Sequence, residues 1–449
     1  MKLSLRAAVL LVLSTASPLS CFAADKNDAQ QPRTVDLSQP LTLENAIKIG
    51  LQNQPSLGIA KTQLDASRAR VTTAKSSYYP QIAPTFQYSN QLTSAKVNGQ
   101  KVTGNIEQSV TQIGLRQLIF DSFKREENVL VSRYSAKATE FNVLDARQAV
   151  IVNISTAYYD LLRRIELVKV AQASVDRAKT TLDFTKTSAE VGTGPKKDIL
   201  QAEADYGNAE VQLIVAQNDV KLAQTSLKNA MGVLNIMPVV LPDTSIPQPS
   251  AEPDKLTTAD YLKQAFAKRP DLKRETAGID ANRHEVKIAN INAGVTVQAD
   301  ITEGFRIDPD PGENRAFTTS VSYPLFDAGL ARSQVRQSKA AYEQSKYQLD
   351  LTKQNVQLEV EQSYLLREEA RSRVGAAQAA LRAARLNYEA ATTSLREGAG
   401  TIIDVITAQT LLITAETNAV QSIFDFYTND ARLKRAIGEN DPYLAGGKI

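Results

Sequence analysis

Side chains that commonly do chemistry are scarce in this chain of 449 residues, which has one histidine and one cysteine. His284 lies in the polar run 282–285, so we expect it to be exposed on a helix rather than to bind a ligand. No glycine-rich loop that could cradle a phosphate precedes a helix. The residues therefore predict no enzyme, no cofactor and no metal site. A net charge of +3 gives no basis for nucleic-acid binding.

The first 23 residues have the parts of an export signal. Lys2 and Arg6 form the charged region, an apolar run follows from Ala7 to Ser17, and Ala23 ends a small-residue cleavage site. Cleavage would remove Cys21, the only cysteine. The alternative is that Cys21 is lipidated, although the residues before it match a lipobox poorly. No later stretch reaches the ~18 consecutive apolar residues of a membrane-spanning helix.

The chain repeats itself. Phe120 and Gly192 reappear as Phe326 and Gly398, both at an offset of 206 residues (326 minus 120). Upstream, Leu41 matches Leu256 at an offset of 215. Internal repeats of this length predict a duplicated fold. The predicted parts are a first repeat at 24–233, a proline-rich connector at 234–255, a second repeat at 256–438 and a tail at 439–449.

Each repeat predicts long helices. The first repeat runs from Ser122 to Val191 without Gly or Pro, which would span ~105 Å as a helix, and its counterpart runs from Leu330 to Glu397. Glycine-containing breaks then precede returning helices at 196–230 and 401–437. Before its strands each repeat has a short helix that stops at an X-Pro pair, at 43–53 and 258–268, and a second helix at 56–78 and 271–290. A long helix backed by two shorter ones would form a hairpin. Two adjacent apolar stripes follow the first long helix, one through Tyr158 and one through Ile154. Two stripes require a neighbour on each side, as in a cylinder of helices.

Four segments alternate apolar and polar residues, at 81–91, 106–118, 295–305 and 316–325. Such alternation of about ten residues is typical of membrane barrels, although each segment alone is a weak signal. Four strands cannot close a barrel, and an open edge cannot face lipid. Several chains would therefore share one barrel, or the strands would form a small soluble sheet on the helices.

Several short motifs resemble the TolC family of outer-membrane efflux channels. They occur in the order and spacing of that family, and the hairpin motif is found in both repeats. The motifs are Leu41–Ala46 with Asn53–Pro55, Tyr323–Gly329, Val191-Gly192 with Asp198–Ala202, and Gly398 with Asp404–Ala408.

The resemblance implies a mainly helical homotrimer with a twelve-stranded barrel in the outer membrane and a twelve-helix tube in the periplasm. The loops 92–105 and 306–315 would face the exterior, and the connector would lie in a belt around the tube. The tube would meet a periplasmic adaptor and an inner-membrane pump, as the passive exit duct of a tripartite efflux pump or a type I secretion system. The alternative is a soluble periplasmic coiled-coil adaptor or scaffold. The cargo stays open.

The resemblance also implies roles for individual residues. For each role a simpler structural explanation stays open. The hairpin tips would contact the adaptor, or would only turn the chain. Asp198 and Asp404 would line a periplasmic gate, or would only stabilise helix dipoles. Some members of the family carry a second Asp three residues after the first and an Arg before the first. This chain has Thr407 and Gly400 at these two positions. The expected tip residues are Val191, Gly192, Thr193, Gly194, Glu397, Gly398 and Ala399.

Overall fold

A computed structural model describes residues 40–192, 194–234, 238–241, 249, 256–308 and 310–439. The predicted export signal, Cys21, Thr193, most of the connector and the tail beyond Glu439 lie outside the described residues. The first repeat contains α1 (Leu43–Asn53), α2 (Pro55–Ser76), β1 (Gln81–Val97), β2 (Gln100–Phe120), α3 (Lys124–Glu190) and α4 (Lys196–Met231). The second contains α5 (Thr258–Lys268), α6 (Pro270–Ile291), β3 (Thr296–Asp308), β4 (Gly312–Ser322), α7 (Leu330–Arg396) and α8 (Ile402–Ala436).

The two long helices, α3 and α7, each contain 67 residues and each span ~100 Å. The interior residue Gly375 does not interrupt α7. In both repeats the long helix is backed by two shorter ones, α2 and α4 on α3, and α6 and α8 on α7. The predicted hairpin of one long helix and two shorter helices is therefore confirmed.

Helix α3 has neighbours on both sides, because α6 and α8 of the second repeat pack against it in addition to α2 and α4. Its two stripes are accordingly buried, with Ile154 and Leu161 at 0% exposure and Tyr158 at 6%. The prediction that two stripes need two neighbours is confirmed for α3. Helix α7 packs against α5, α6 and α8, all of its own repeat.

The shorter helices meet end to end at an equivalent joint in each repeat. The side-chain amide of Gln54 donates to the carbonyl of Ala230 at 3.0 Å, and the guanidinium of Arg269 donates to the carbonyl of Ala436 at 3.0 Å. Gly232 ends α4 in the left-handed region at φ +68°, where the position of an added Cβ would lie 2.8 Å from backbone atoms of the α1–α2 junction. Only glycine fits this joint.

The four strands form one antiparallel sheet in the order β1-β2-β3-β4, in which the pairing of β2 with β3 joins the repeats. The strands are longer than predicted. Most residues of the expected loops 92–105 and 306–315 lie in strands, so the predicted extent of both loops is wrong. β1 and β2 remain paired as far as the turn at Asn98 and Gly99, which have φ of 51° and 82°. This Asn-Gly pair suits a two-residue hairpin turn, so the sequence carried a signal that the polar composition of the segment obscured.

The predicted exposure of His284 is wrong. Its side chain is 10% exposed and lies between α6 and α3, where Nδ1 bonds to the carboxylate of Glu127. The imidazole also stacks on Tyr134, with ring centroids 5.4 Å apart. The polar neighbours of His284 in sequence gave no hint of this burial, because the partners that cover it come from the other repeat.

Candidate functional site: the hairpin tips and the open helix edges

The tip of the first helical hairpin is a tight turn between α3 and α4. Gly192 adopts φ +80°, and the amide of Gly194 donates to the carbonyl of Ser188 at 3.0 Å. Such a turn satisfies the last carbonyls of the long helix. The Val191 side chain stands 69% exposed beside it.

The second tip repeats the first at an offset of 206 residues. Gly398 adopts φ +76°, and the amides of Ala399 and Gly400 both donate to the carbonyl of Ser394, at 2.9 and 3.0 Å. Glu397 is the last residue before the turn and is exposed. The tip residues predicted for each repeat therefore share one turn, apart from Thr193, which lies outside the described residues.

The two predicted gate aspartates have different surroundings. Asp404 belongs to a capping box at the start of α8, in which its backbone amide donates to the Thr401 hydroxyl at 3.2 Å and its carboxylate accepts from the Thr401 amide at 2.9 Å. The hydrogen bonds from Thr401 hold the pKa of Asp404 below its usual range. Pro195 stands where Thr401 would be in the first repeat, and Asp198 is half-buried in the first turn of α4.

Above the tips, polar side chains join α8 to the first repeat. The guanidinium of Arg177 donates to both carboxylate oxygens of Glu416, at 2.9 and 3.4 Å, and the two side chains are 18% and 13% exposed. Gln409, only 1% exposed, donates to Asp205 at 3.0 Å. Burial raises the pKa of Asp205. These four residues could not be predicted from the sequence, because nothing in the local sequence pairs residues more than two hundred positions apart.

Two helix edges carry exposed apolar side chains. On α7 these side chains follow a spacing of four, seven and seven residues along one side of the helix. They are Tyr347, Leu351, Leu358 and Leu365, exposed by 74%, 49%, 54% and 64%. A second set lies on α4, with Val211, Ile214, Val215 and Leu222 exposed by 55%, 65%, 50% and 59%.

The sheet is also exposed on its apolar side. Phe317 and Val321 of β4 are 71% and 68% exposed, and Ile82 and Phe86 of β1 are 65% and 55% exposed. Among the described residues, β1 and β4 each pair with one strand only. A large exposed apolar patch of this kind marks a surface that meets lipid or another protein.

Within the described parts of the chain, no helix combines the length and the apolar character needed to cross a membrane. The same residues contain no cluster of three or more His, Cys, Asp or Glu side chains suited to holding a metal ion.

The sequence pattern of the outer membrane efflux protein family matches residues 46–233 and 261–439. The chain belongs to this family. It is 24% identical to the outer membrane efflux protein BepC of Brucella suis over 402 residues, which cover 88% of this chain and 85% of BepC. It is 23% identical to the outer membrane protein TolC of Escherichia coli over 425 residues, covering 90% and 83% of the two chains.

Solved channels share its fold. The Campylobacter jejuni CmeC outer membrane channel has a TM-score of 0.74 at 17% identity, with 89% of this chain and 86% of that one covered. The Neisseria gonorrhoeae MtrE outer membrane channel, solved in its open state, has a TM-score of 0.71 at 16% identity, with 89% of both covered. The family predicted from the motifs is therefore confirmed. Membership of an outer membrane efflux family also agrees with the prediction of a channel component rather than an enzyme.

Proposed function

We propose that this chain is the protomer of a trimeric outer-membrane channel, the passive exit duct of an efflux or secretion pump. The proposal rests on one observation. Helices α6 and α8 cover one face of α3, whereas the equivalent face of α7 is exposed. Val152 on α3 is 7% exposed, whereas Leu358, its equivalent at the offset of 206, is 54% exposed.

The internal repeat predicts which helices should cover the exposed face of α7. Within one protomer, α3 of the first repeat packs against α6 and α8 of the second. The equivalents of α6 and α8 are α2 and α4, and α4 carries the other bare apolar edge. If the same contact repeats between chains, α7 of one copy packs against α2 and α4 of the next. This contact is head-to-tail, so it generates a ring wherever the rotation closes.

The sheet also requires that several copies of the chain join in a ring. An open strand edge cannot face lipid, because its unpaired backbone groups would lose their hydrogen bonds with water. With three copies, β4 of each pairs with β1 of the next and the twelve strands close into a barrel whose apolar side faces outward. The number three comes from the similarity to the TolC family.

The ring can be tested with one pair of variants on α7. We expect Leu358→Lys to break the trimer, because it places a charge in the apolar contact between copies. Gln357→Lys is the matched control, since this exposed neighbour lies on the polar side of the helix. Mass measurement in mild detergent distinguishes the two. A Leu358→Lys protein that remains fully trimeric would exclude this face from the ring.

The tips are the proposed contact with a periplasmic adaptor. They present paired turns at the end of the tube, with exposed apolar side chains that include Val191 and, on α8, Ile403 at 64%. A photo-reactive residue in place of Ala399 should cross-link a second protein in intact cells, whereas one in place of Gln357 should not. Equal cross-linking of one protein by both sites would remove the tips from the adaptor contact.

The gate role of Asp404 is a separate proposal. Three copies around the axis would concentrate negative charge in a narrow aperture and attract cations. We expect Asp404→Asn to weaken block of single-channel current by divalent cations. Thr401→Val is the control, because it removes the cap and keeps the charge. Unchanged block in Asp404→Asn, or an equal loss in both variants, would leave Asp404 only its role in the capping box.

The alternative of a soluble periplasmic adaptor or scaffold does not account for the exposed apolar sheet. Fractionation separates the two functions. A channel should stay with the membrane in carbonate and run as a trimer in mild detergent. Release by carbonate would support the soluble protein.

A further inference from the structure

If the sheet spans the outer membrane as proposed, exposed side chains mark where the lipid ends and the tube begins. Tyr79 precedes β1 and is 71% exposed, and Leu325 and Phe326 follow β4 with 91% and 89% exposed. Aromatic and large apolar side chains collect at the boundary between lipid and water in membrane barrels. The helix ends beside these residues, the end of α2 and the start of α7, therefore lie at the lipid headgroups.

Both helix ends carry positive charges only. Segments 66–80 and 328–342 contain six basic and no acidic residues. All six basic side chains are exposed, and within the described part of the chain only Arg68 forms an ion pair. The six residues are Arg68, Arg70, Lys75, Arg332, Arg336 and Lys339.

The acidic residues that flank these segments are engaged elsewhere. Asp65 lies 3.9 Å from Arg68, the partner just mentioned. The carboxylate of Asp327 accepts from the amide of Ala331 at 2.7 Å, at the start of α7. Glu343 pairs with a lysine one turn further from the sheet. The excess of positive charge at the two helix ends is therefore not neutralised by these neighbours.

The junction inside one chain has mixed charges at the equivalent positions. Segments 122–136 and 281–295 contain five basic and three acidic residues. Glu127 bonds to His284 and to Lys287 across this junction, and Glu126 bonds to the hydroxyl of Tyr78. The third acidic residue is Glu285. The junction inside the chain thus contains counter-charges that the proposed junction of α7 with α2 of the next copy lacks.

The three basic residues of α7 lie on the side of the helix away from α6. Gln334 accepts from the side-chain amide of Asn292 of α6 at 3.1 Å, so Gln334 faces α6. Because each residue turns a helix by about 100°, the three basic residues are rotated by about 140–160° from Gln334. Glu285 of α6 lines the groove on the Gln334 side, and α7 separates it from them.

The same three residues follow the side of α7 that α5 covers further from the sheet. Arg332 and Lys339 lie 28 and 21 residues before Val360, and residues seven apart keep one side in a coiled coil. Val360 is buried in one cluster with Tyr261 of α5. In the ring, α6, α8 and the next copy occupy the flanks of α7 and the lumen stays open. Helix α5 and the basic residues therefore lie on the outside of the tube.

All six basic residues are close enough to the lipid to interact with headgroups. Arg332 and Lys339 lie two and nine residues after the start of α7, ~3 and ~14 Å along it. Arg68 and Lys75 lie eight and one residues before the end of α2, ~12 and ~2 Å. Headgroups add ~5–8 Å beyond the hydrocarbon core, and charges act over a further ~8 Å at physiological ionic strength. The basic residues occupy this depth.

Resting on the proposed function, we propose that anionic phospholipid headgroups of the periplasmic leaflet bind the outside of the tube at each junction between copies. The start of α7 of one copy and the end of α2 of the next supply the positive charges, so the site is complete only in the ring. The lipid phosphates neutralise like charges that would otherwise repel each other across the junction. The long stems of lysine and arginine allow their charged ends to reach the headgroups.

The lipid preference of the purified trimer tests this site. Trimers in detergent are titrated with phosphatidylglycerol or with phosphatidylcholine of the same acyl chains, and bound lipid is counted by native mass spectrometry. We expect phosphatidylglycerol to bind at least about ten-fold more tightly, with a preference that falls as salt rises from about 0.1 to 0.5 M. Equal binding of the two lipids by the unaltered trimer would overturn the proposal without any variant.

Paired variants on α7 locate the site. One basic residue beside an anionic surface contributes about five-fold in affinity, so Arg332→Gln with Arg336→Gln should weaken binding of phosphatidylglycerol about twenty-fold. Binding of phosphatidylcholine should not change. Arg382→Gln with Arg385→Gln is the matched control, since these exposed arginines lie fifty residues further along the same helix (382 minus 332), or ~75 Å. Equal weakening by both pairs would show that only the overall charge matters and would remove the site.

Two further variants test the chemistry and the sharing of the site. Arg332→Lys with Arg336→Lys keeps the charge and should keep the preference for phosphatidylglycerol. Lys75→Gln removes one charge from the other copy at the junction and should weaken the binding about five-fold. Full binding by Lys75→Gln would overturn the sharing between copies.

The same mass spectra distinguish this proposal from the proposed function. A trimer without lipid preference would overturn only the lipid site, whereas the absence of a trimer would overturn the channel itself. Isolated cell-wall sacculi are the competing anionic partner. If Arg332→Gln with Arg336→Gln abolishes binding to sacculi but keeps the full lipid preference, the positive charges serve the cell wall and the proposal is wrong.

Discussion

The hydrogen bond between Gln409 and Asp205 should make the cost of one substitution depend on pH. Gln409 is almost fully buried, and its amide donates to the half-buried carboxylate of Asp205 at 3.0 Å. Gln409→Ala removes this donor. Because a hydrogen bond to a charged group contributes about 1.5–3 kcal/mol, and Asp205 is partly exposed to water, we expect a loss near 1.5 kcal/mol when Asp205 is ionised.

The sign of the pH dependence follows from the pKa of Asp205. Burial raises this pKa in the folded protein, so the ionised carboxylate destabilises the fold as the pH rises through it. The Gln409 bond opposes that effect and lowers the pKa. The destabilisation by Gln409→Ala should therefore be larger at pH 8 than at pH 4, where a protonated Asp205 loses only a neutral hydrogen bond of about 1 kcal/mol or less.

Guanidinium unfolding followed by helical circular dichroism measures the difference, at one protein concentration because the apparent stability of an oligomer depends on concentration. The Oε1 atom of Gln409 is buried without a hydrogen-bond partner among the described residues. Its removal in Gln409→Ala changes the free energy of unfolding by the same amount at both pH values. Gln224→Ala is the control, since Gln224 donates to a backbone carbonyl, that of Val239. An equal cost of Gln409→Ala at both pH values would show that this hydrogen bond does not stabilise the ionised Asp205 carboxylate.

Three further predictions use the same unfolding assay. Gly232→Ala should cost several kcal/mol, because the residue is left-handed and its Cβ would meet backbone atoms at 2.8 Å. Gly375→Ala, in open space within α7, should instead stabilise by about 0.5–1 kcal/mol, and equal effects of the two changes would contradict the joint. Glu127→Gln should destabilise near neutral pH by about 1.5–3 kcal/mol and by less in acid, because its lowered pKa makes its contribution disappear as the pH falls; a cost independent of pH would contradict this. Asp327→Ala should lower the stability measurably, since its carboxylate accepts from the amide of Ala331 at 2.7 Å at the start of α7, and no measurable loss would exclude that role.

Local sequence signals predicted the helices well. The bounds of α1 and α5 match the prediction, because each ends at an X-Pro pair, where proline disfavours a helical residue before it. The turns at Gly192 and Gly398 were also readable, since glycine is the usual residue at a left-handed helix end.

Contacts between the repeats could not be predicted from the sequence. The burial of His284 depends on Glu127, which lies 157 positions away, and the pair of Arg177 with Glu416 spans 239 positions. Which residues meet between the repeats depends on how the two repeats are placed side by side. Periodicity within one helix gives its buried faces but not its partners.

The equal length of α3 and α7 restricts how such a gene can change. One inserted residue would advance a long helix by about 1.5 Å and rotate every following side chain by about 100°. The altered helix would then present the wrong face to both neighbours over the rest of its length, while the other repeat kept its register. Substitutions can thus accumulate separately in the two repeats, as Arg163 and Glu369 show, but single-residue insertions and deletions cannot. The two repeats preserve a shared length of their long helices more strictly than a shared sequence.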